Sequence, residues 1–204
     1  MGSVFLSAVL AGVMIAIGGT AYLSVSNPVV GSLFFTIGLF VICTMKWHLF
    51  TGKVCYVFDH DCRYALTIPV IWLGNLVGTF TAAALERMTR IAPALEERAA
   101  AICEIKLSDS LPSIFVLAVF CNILIYIGVE GFRSNPHELG KYLSLFFGVC
   151  VFILCGFEHC VANMYYFSIA GVWSMRTLGY LTVMTLGNAV GVVLLHVLRL
   201  YVPQ

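Results

Sequence analysis

Two of the long apolar runs in this chain are interrupted partway along by charge and glycine, and that pairing restricts the fold more than any other feature. The second run proceeds from Val29, meets Lys46, Trp47, His48 and Thr51-Gly52-Lys53, then resumes with Val54–Phe58. The fifth proceeds from Tyr142 to Cys155, meets Gly156 and Glu158-His159, then resumes to Ala170. A membrane crossing takes about 20 mainly apolar residues. Six stretches qualify, at 4–25, 29–50, 64–86, 110–132, 141–170 and 177–200. Irregular backbone inside lipid is tolerated only where protein buries it or where it lines a cavity. Each interruption therefore reads as a helix broken at membrane depth.

Composition agrees. Hydrophobic residues make up 61% of the chain and charged residues 10%, against about 25% charged in soluble domains. The mean hydropathy is +0.99, and an ordinary soluble domain of this size cannot hide so much apolar surface. A net charge of +1 gives no reason to expect a nucleic-acid partner. Met1 to Leu10 has no charged leading segment, and its apolar run continues past Ala21 without a small-residue cleavage pattern, so it reads as a first span rather than a removed signal. Cys43, Cys121, Cys150, Cys155 and Cys160 fall within spans, where cysteine acts as a small hydrophobe. No disulfide framework is expected, with Cys55/Cys62 the one conceivable pair. Trp47, Trp72 and Trp173 read as interface anchors, and His196, late in the last span, as an interfacial residue.

The chain also repeats itself. Leu73-Gly74-Asn75-Leu76-Val77-Gly78 in span three returns as Leu186-Gly187-Asn188-Ala189-Val190-Gly191 in span six. The two broken spans occupy matching places in the two halves. Three spans per half is an odd number, so the halves must be inverted in the membrane, and paired broken helices in inverted repeats point to a binding site near the midplane. The expected fold is all-α and integral to the membrane, a single transmembrane domain over 1–204. Its first repeat covers about 1–91 and its second about 107–204. The linker between them, about 92–106, is rich in Ala and charge and is expected to form a short surface helix. Gly12, Gly18, Gly38, Gly74, Gly78, Gly187 and Gly191 are expected to let helices approach closely. With the amino terminus inside, Lys53, Arg63, Arg133, Lys141 and Arg199 face Arg87, Arg90, Arg98, Lys106 and Arg176 across the membrane. The two sets are equal in number, so the positive-inside rule does not choose an orientation.

An ionisable side chain in lipid costs several kcal/mol unless it faces a protein interior or a watery path. Glu158 and His159 thus read as part of a transport pathway, with a structural polar pair as the competing reading. A membrane redox protein is the rival from another class, with His48, His159 and His196 as haem ligands or Cys155, His159 and Cys160 as a metal site. That Cys-His-Cys spacing on one segment is not a closed zinc pattern, and no cofactor is expected. A purely structural subunit would have no use for the matched breaks.

Five motifs, in order and spread over nearly the whole chain, resemble the signatures of the formate–nitrite transporter family. They are Leu49-Phe50-Thr51-Gly52, Gly74-Asn75-Leu76-Val77-Gly78, Cys121-Asn122, Gly156-Phe157-Glu158-His159 through Asn163-Met164, and Gly187-Asn188. The resemblance implies a homopentamer of aquaporin-like, six-helix protomers in a bacterial inner membrane, amino terminus cytoplasmic. It implies that Thr51 in the second-span break faces His159 in the fifth. Phe35 and Leu39 on one side and Phe152 on the other correspond to the family's apolar constrictions. Lys106, Asn122, Glu158 and Asn163 correspond to a polar network around the histidine loop.

The activity implied is proton-linked passage of small monovalent anions of weak acids, formate first, with nitrite or hydrosulfide as alternatives. The physics is compatible: an apolar ring stops a bare anion, whose desolvation is prohibitive, but admits the neutral acid. Histidine ionises near physiological pH and suits a proton relay. Lys106, Lys46 and Lys53 would draw the anion in. The sequence departs from the family pattern in several places. No amphipathic helix precedes the first span, which leaves amino-terminal gating unexpected. His48 stands where many relatives carry an acid, Lys53 follows Gly52, and Cys160 stands where serine is common.

Overall fold

A computed structural model describes residues 1–202, and among these the chain is all-helical. The helices are α1 (Gly2–Ser24), α2 (Pro28–Thr44), α3 (Phe50–Lys53) with a 3₁₀ turn at Val54–Phe58, α4 (Cys62–Ala65), α5 (Thr67–Glu86), α6 (Ala92–Ser108), α7 (Leu111–Ser134), α8 (Glu138–Leu154), α9 (Cys160–Ala170) and α10 (Met175–Arg199). Four stretches are long and apolar enough to cross a membrane: Gly2–Ser24, Cys62–Glu86, Leu111–Ser134 and Met175–Arg199. The second and fifth apolar runs are the divided ones, as α2 then α3, and α8 then α9.

Local chemistry sets most of the helix ends. The Asn27 side chain accepts from the N–H groups of Val29 and Val30, with Pro28 at the first helical position. Ser110 and Ser174 cap α7 and α10 in the same manner. Gly171, at φ 67°, ends α9 in the left-handed conformation. Span three begins at Cys62, two residues before its expected start, and is divided at Leu66. Pro69 supplies the reason: it lacks the N–H that would bond to Ala65 and its ring crowds that carbonyl.

The helices pair through small residues. α1 packs along α5, and α7 along α10. A Cβ added at Gly78 would run into the Val9 carbonyl, and one at Gly191 into the Val119 carbonyl. The other five glycines expected at helix contacts are equally constrained by backbone carbonyls of a neighbouring helix, Gly74 and Gly187 also by the side chains of Ala8 and Ala118. Leu73 and Leu186, beside the two Gly-Asn pairs, turn outward, as do Phe34, Phe80 and Phe147. Without water in the bilayer core this apolar exterior costs nothing and the polar groups are paired inside.

Two elements depart from expectation. Helix α2 stops at Thr44 rather than Phe50, and the resumed part is a single α turn followed by a 3₁₀ turn, where the second half has one continuous 11-residue helix, α9. The linker helix is more than a surface feature. Leu95, Ala99 and Cys103 are buried where α6 packs on α9, which carries Lys106 inward. Burial pushes the Cys103 thiol up to about 12, which keeps it neutral and inert.

Candidate functional site

The two breaks are built alike. After α2, Met45, Lys46 and Trp47 donate backbone N–H bonds to Val41, Cys43 and Ile42, and Lys46 adopts φ 58°. After α8, Cys155, Gly156 and Phe157 donate to Val151, Ile153 and Phe152, and Gly156 adopts φ 68°. Both are helix-ending motifs with a left-handed residue at the turn. Glycine takes that conformation freely, whereas lysine there carries a steric penalty.

Each break is then held by an asparagine. The Asn75 side chain accepts from Phe50 N (2.9 Å) and donates to the Ala8 and His48 carbonyls (2.8 and 3.0 Å). The Asn188 side chain accepts from Cys160 N (2.8 Å) and donates to the Ala118 and Glu158 carbonyls (2.7 and 2.8 Å). Two backbone groups at each break are thereby satisfied in the interior, as a low-dielectric site requires, and each break is tied to a carbonyl of a neighbouring helix.

Thr51 and His159 meet between these breaks. Thr51 Oγ1 lies 2.9 Å from His159 Nε2, and both residues are buried. His159 caps α9: the Ala162 N–H donates to its Nδ1 at 3.0 Å. That bond makes Nδ1 an acceptor, so the ring proton sits on Nε2 and is donated to Thr51 Oγ1. Phe152 stacks on the imidazole with ring centroids 5.6 Å apart.

Two cavities approach the pair from opposite faces. One, of about 540 Å³, opens on the face that holds the amino terminus; Leu39, Lys46, Lys53, His60, Tyr64 and Arg133 are among its walls. The other, of about 210 Å³, is lined by Lys106, Phe152, Glu158, His159 and Asn163 with Tyr22. The Thr51–His159 bond lies between them: His159 lines the second cavity, and Gly52, next to Thr51, lines the first. Leu39 lines the amino-terminal cavity and Phe152 the other, while Phe35, which lines neither, sits edge-on to Phe152 with centroids 6.0 Å apart.

Lys106 Nζ donates to Glu158 Oε2 at 2.6 Å, and Asn163 Nδ2 donates to the same oxygen at 2.8 Å. Asn122 Nδ2 donates to the Asn188 carbonyl at 2.8 Å. Lys106, Glu158 and Asn163 are thus joined, while Asn122 bonds the Asn188 carbonyl instead, and the Oδ1 atoms of Asn122 and Asn163 have no protein donor. Lys46 and Lys53 both line the amino-terminal cavity. His48 does not: its Nδ1 is 2.7 Å from Ser7 Oγ, which also accepts from its backbone N–H, so it ties the break to α1.

Several residues play roles the sequence did not signal. His196, expected at an interface, is 8% exposed, with Nε2 2.8 Å from Asp59 Oδ2 and Nδ1 2.9 Å from the Tyr126 hydroxyl. Glu130 joins this cluster, bonded to Arg199 (2.8 Å), Arg133 (2.9 Å) and the Tyr56 hydroxyl. The cluster fastens the 3₁₀ turn to α7 and α10. Trp72 and Trp173, also expected as interface anchors, donate inward to Thr185 and Ser168 (both 3.1 Å). The ring nitrogens of His159 and His196 are all engaged in these bonds. Cys55 is buried, Cys62 is exposed, and neither is disulfide-bonded.

The fold and this central pair define a helical membrane protein with two cavities meeting at a closed polar septum. The formate/nitrite transporter family model matches residues 1–202, and the chain belongs to that family. It is 27% identical to the formate channel FocB of Escherichia coli (strain K12) over 80% of this chain and 64% of that protein. It is 29% identical to a probable formate transporter of Methanothermobacter thermautotrophicus over 94% of this chain and 85% of that protein. It is 24% identical to the nitrite transporter NirC of Salmonella typhimurium (strain LT2) over 90% of this chain and 77% of that one. The chain thus spans somewhat under two thirds of the length of FocB. Its fold resembles that of a solved pentameric formate channel with formate bound, at a TM-score of 0.83 and 24% identity, over 98% of this chain and 95% of that one.

Proposed function

We propose that this chain is a channel for small monovalent anions of weak acids, formate foremost, that links passage to protons. The observation that carries the reading is the buried Thr51–His159 bond lying at the septum between two cavities, flanked by Phe35, Phe152 and Leu39. A bare anion cannot cross the apolar ring without losing its hydration, whereas the neutral acid can. Lys46 and Lys53 draw the anion into one vestibule, and Lys106, partly neutralised by Glu158, stands in the other. At the septum the His159 Nε2–H leaves Thr51 and hydrogen-bonds the permeant oxygen; there the permeant takes up a proton from vestibule water, crosses as the neutral acid and returns the proton to water on the far side. The α9 amino terminus adds positive potential at the same point.

The architecture that goes with this reading is aquaporin-like: six spans as two inverted three-helix repeats, about 1–91 and 107–204, in one domain. The matched breaks and the matched Asn75 and Asn188 clamps support it. Likeness to a pentameric formate channel supports a homopentamer, placed in a bacterial inner membrane with the amino terminus cytoplasmic. Uptake of formate, nitrite and hydrosulfide into proteoliposomes, run in parallel at two pH values, tests the proposal. Uptake of one anion that rises at acid pH and collapses in His159→Ala supports it. No uptake of any of the three overturns it.

A further inference from the structure

The two vestibules differ in charge. None of the residues lining the amino-terminal cavity is acidic, yet Lys46, Lys53 and Arg133 all stand on its wall. Among the described residues Lys46 and Lys53 have no carboxylate partner, and the nearby acids are engaged elsewhere: Glu130 with Arg133 and Arg199, Asp59 with His196, and Asp61 with the Tyr64 N–H as the cap of α4. On the opposite face the single lysine, Lys106, is bonded to Glu158. One mouth thus carries an uncompensated positive field that low-dielectric walls focus, and the other is close to neutral.

We infer that the amino-terminal vestibule is a binding site for a divalent oxyanion of the sulfate type, and that such an ion occludes the channel from this face alone. The inference rests on the channel reading above. A monovalent anion balances one of the two free ammonium charges on this wall, whereas a dianion balances both. The cavity, about 540 Å³, has room for an ion larger than formate. A sulfate-type dianion does not become a neutral acid near neutral pH, so it cannot follow the weak acid across the apolar septum. It stays where the lysines hold it.

Thermal unfolding of the purified protein, titrated with sodium sulfate against sodium chloride at matched ionic strength, reads binding without any transport. The expected result is a saturable rise in Tm beyond the chloride control, with the half-saturating concentration raised at least about tenfold in Lys46→Gln/Lys53→Gln, as loss of both charges requires. Absence of a saturable rise in the parent, or an unchanged half-saturation in the double variant, overturns the site. A second arm adds sulfate to one face of proteoliposomes at a time, the faces being told apart by impermeant thiol labelling of exposed Cys62. Slowed uptake only from the amino-terminal face is expected, and equal slowing from both faces overturns the one-sided block. Loss of weak-acid uptake under all conditions would instead refute the channel reading, with the sulfate titration still deciding the site.

Discussion

Asn75 and Asn188 each accept from the first N–H of the resumed helix and donate to two carbonyls, one on a neighbouring span and one in the loop at the break. Neither side chain touches a cavity. Their task is to hold two irregular loops in fixed register, so that Thr51 on one and His159 on the other meet at 2.9 Å.

Truncating either asparagine should therefore be costly. Asn188→Ala leaves two buried backbone groups at the break without partners, the Cys160 N–H and the Glu158 carbonyl, each worth about 1–3 kcal/mol. A loss of at least about 2 kcal/mol is expected, read as a lowered Tm in detergent, and a similar loss for Asn75→Ala. A loss below about 1 kcal/mol at both sites would mean that other groups or water already satisfy the loops.

The left-handed turns predict effects of opposite sign. Lys46, at φ 58°, has a conformation that costs an L-residue about 1–2 kcal/mol. Lys46→Gly should stabilise the fold by about 1 kcal/mol. Gly156→Ala meets no atom within 4 Å, so its penalty is conformational alone and it should destabilise by a similar amount. Thermal unfolding of the two variants checks both signs.

How far the site was legible follows from the kind of signal each part leaves. Glu158 and His159 stood out because charge inside an apolar run demands an explanation, and the Leu-Gly-Asn repeat located both clamps. The break after α2 showed in the charge of Lys46, but the left-handed turn that ends the helix did not, since Lys46 occupies a turn position where glycine is the usual signal. The grouping of Phe35 with Phe152 depends on how α8 crosses α2, which periodicity does not reveal. His196 passed as an interfacial residue because its partners, Asp59 and Tyr126, lie 137 and 70 positions away. Lys106 was located through family resemblance, and the burial of α6 on α9 supplies the physical reason it reaches Glu158.

The Lys106–Glu158 pair should behave as a unit. Its side chains are 13% and 3% exposed, and Asn163 donates to the same carboxylate. Removing one partner of such a pair costs about 3–5 kcal/mol because the other is left buried and uncompensated. Lys106→Met and Glu158→Gln singly should each cost close to that, and the double variant less than their sum by about 2 kcal/mol or more. Strict additivity in the double-mutant cycle would show that solvent already screens the pair.

The central histidine has two separable jobs, and Asn at this position keeps only one. His159 Nδ1 accepts from Ala162 N and so caps α9, a role asparagine fills well. Its Nε2–H faces Thr51, where asparagine is too short to reach and has no ionisation near neutral pH. His159→Asn should thus hold its stability within about 1 kcal/mol of the parent, whereas His159→Ala loses the cap as well. Formate uptake in both variants should fall at least about tenfold, the loss of one charge-directing contact in a buried site. The rise of uptake toward acid pH should flatten in His159→Asn, because the group that donates to the permeant at the septum is gone. Full uptake with an intact acid rise in His159→Asn would move proton linkage away from this residue to the anion's own protonation in the vestibule, and leave His159 as a helix cap.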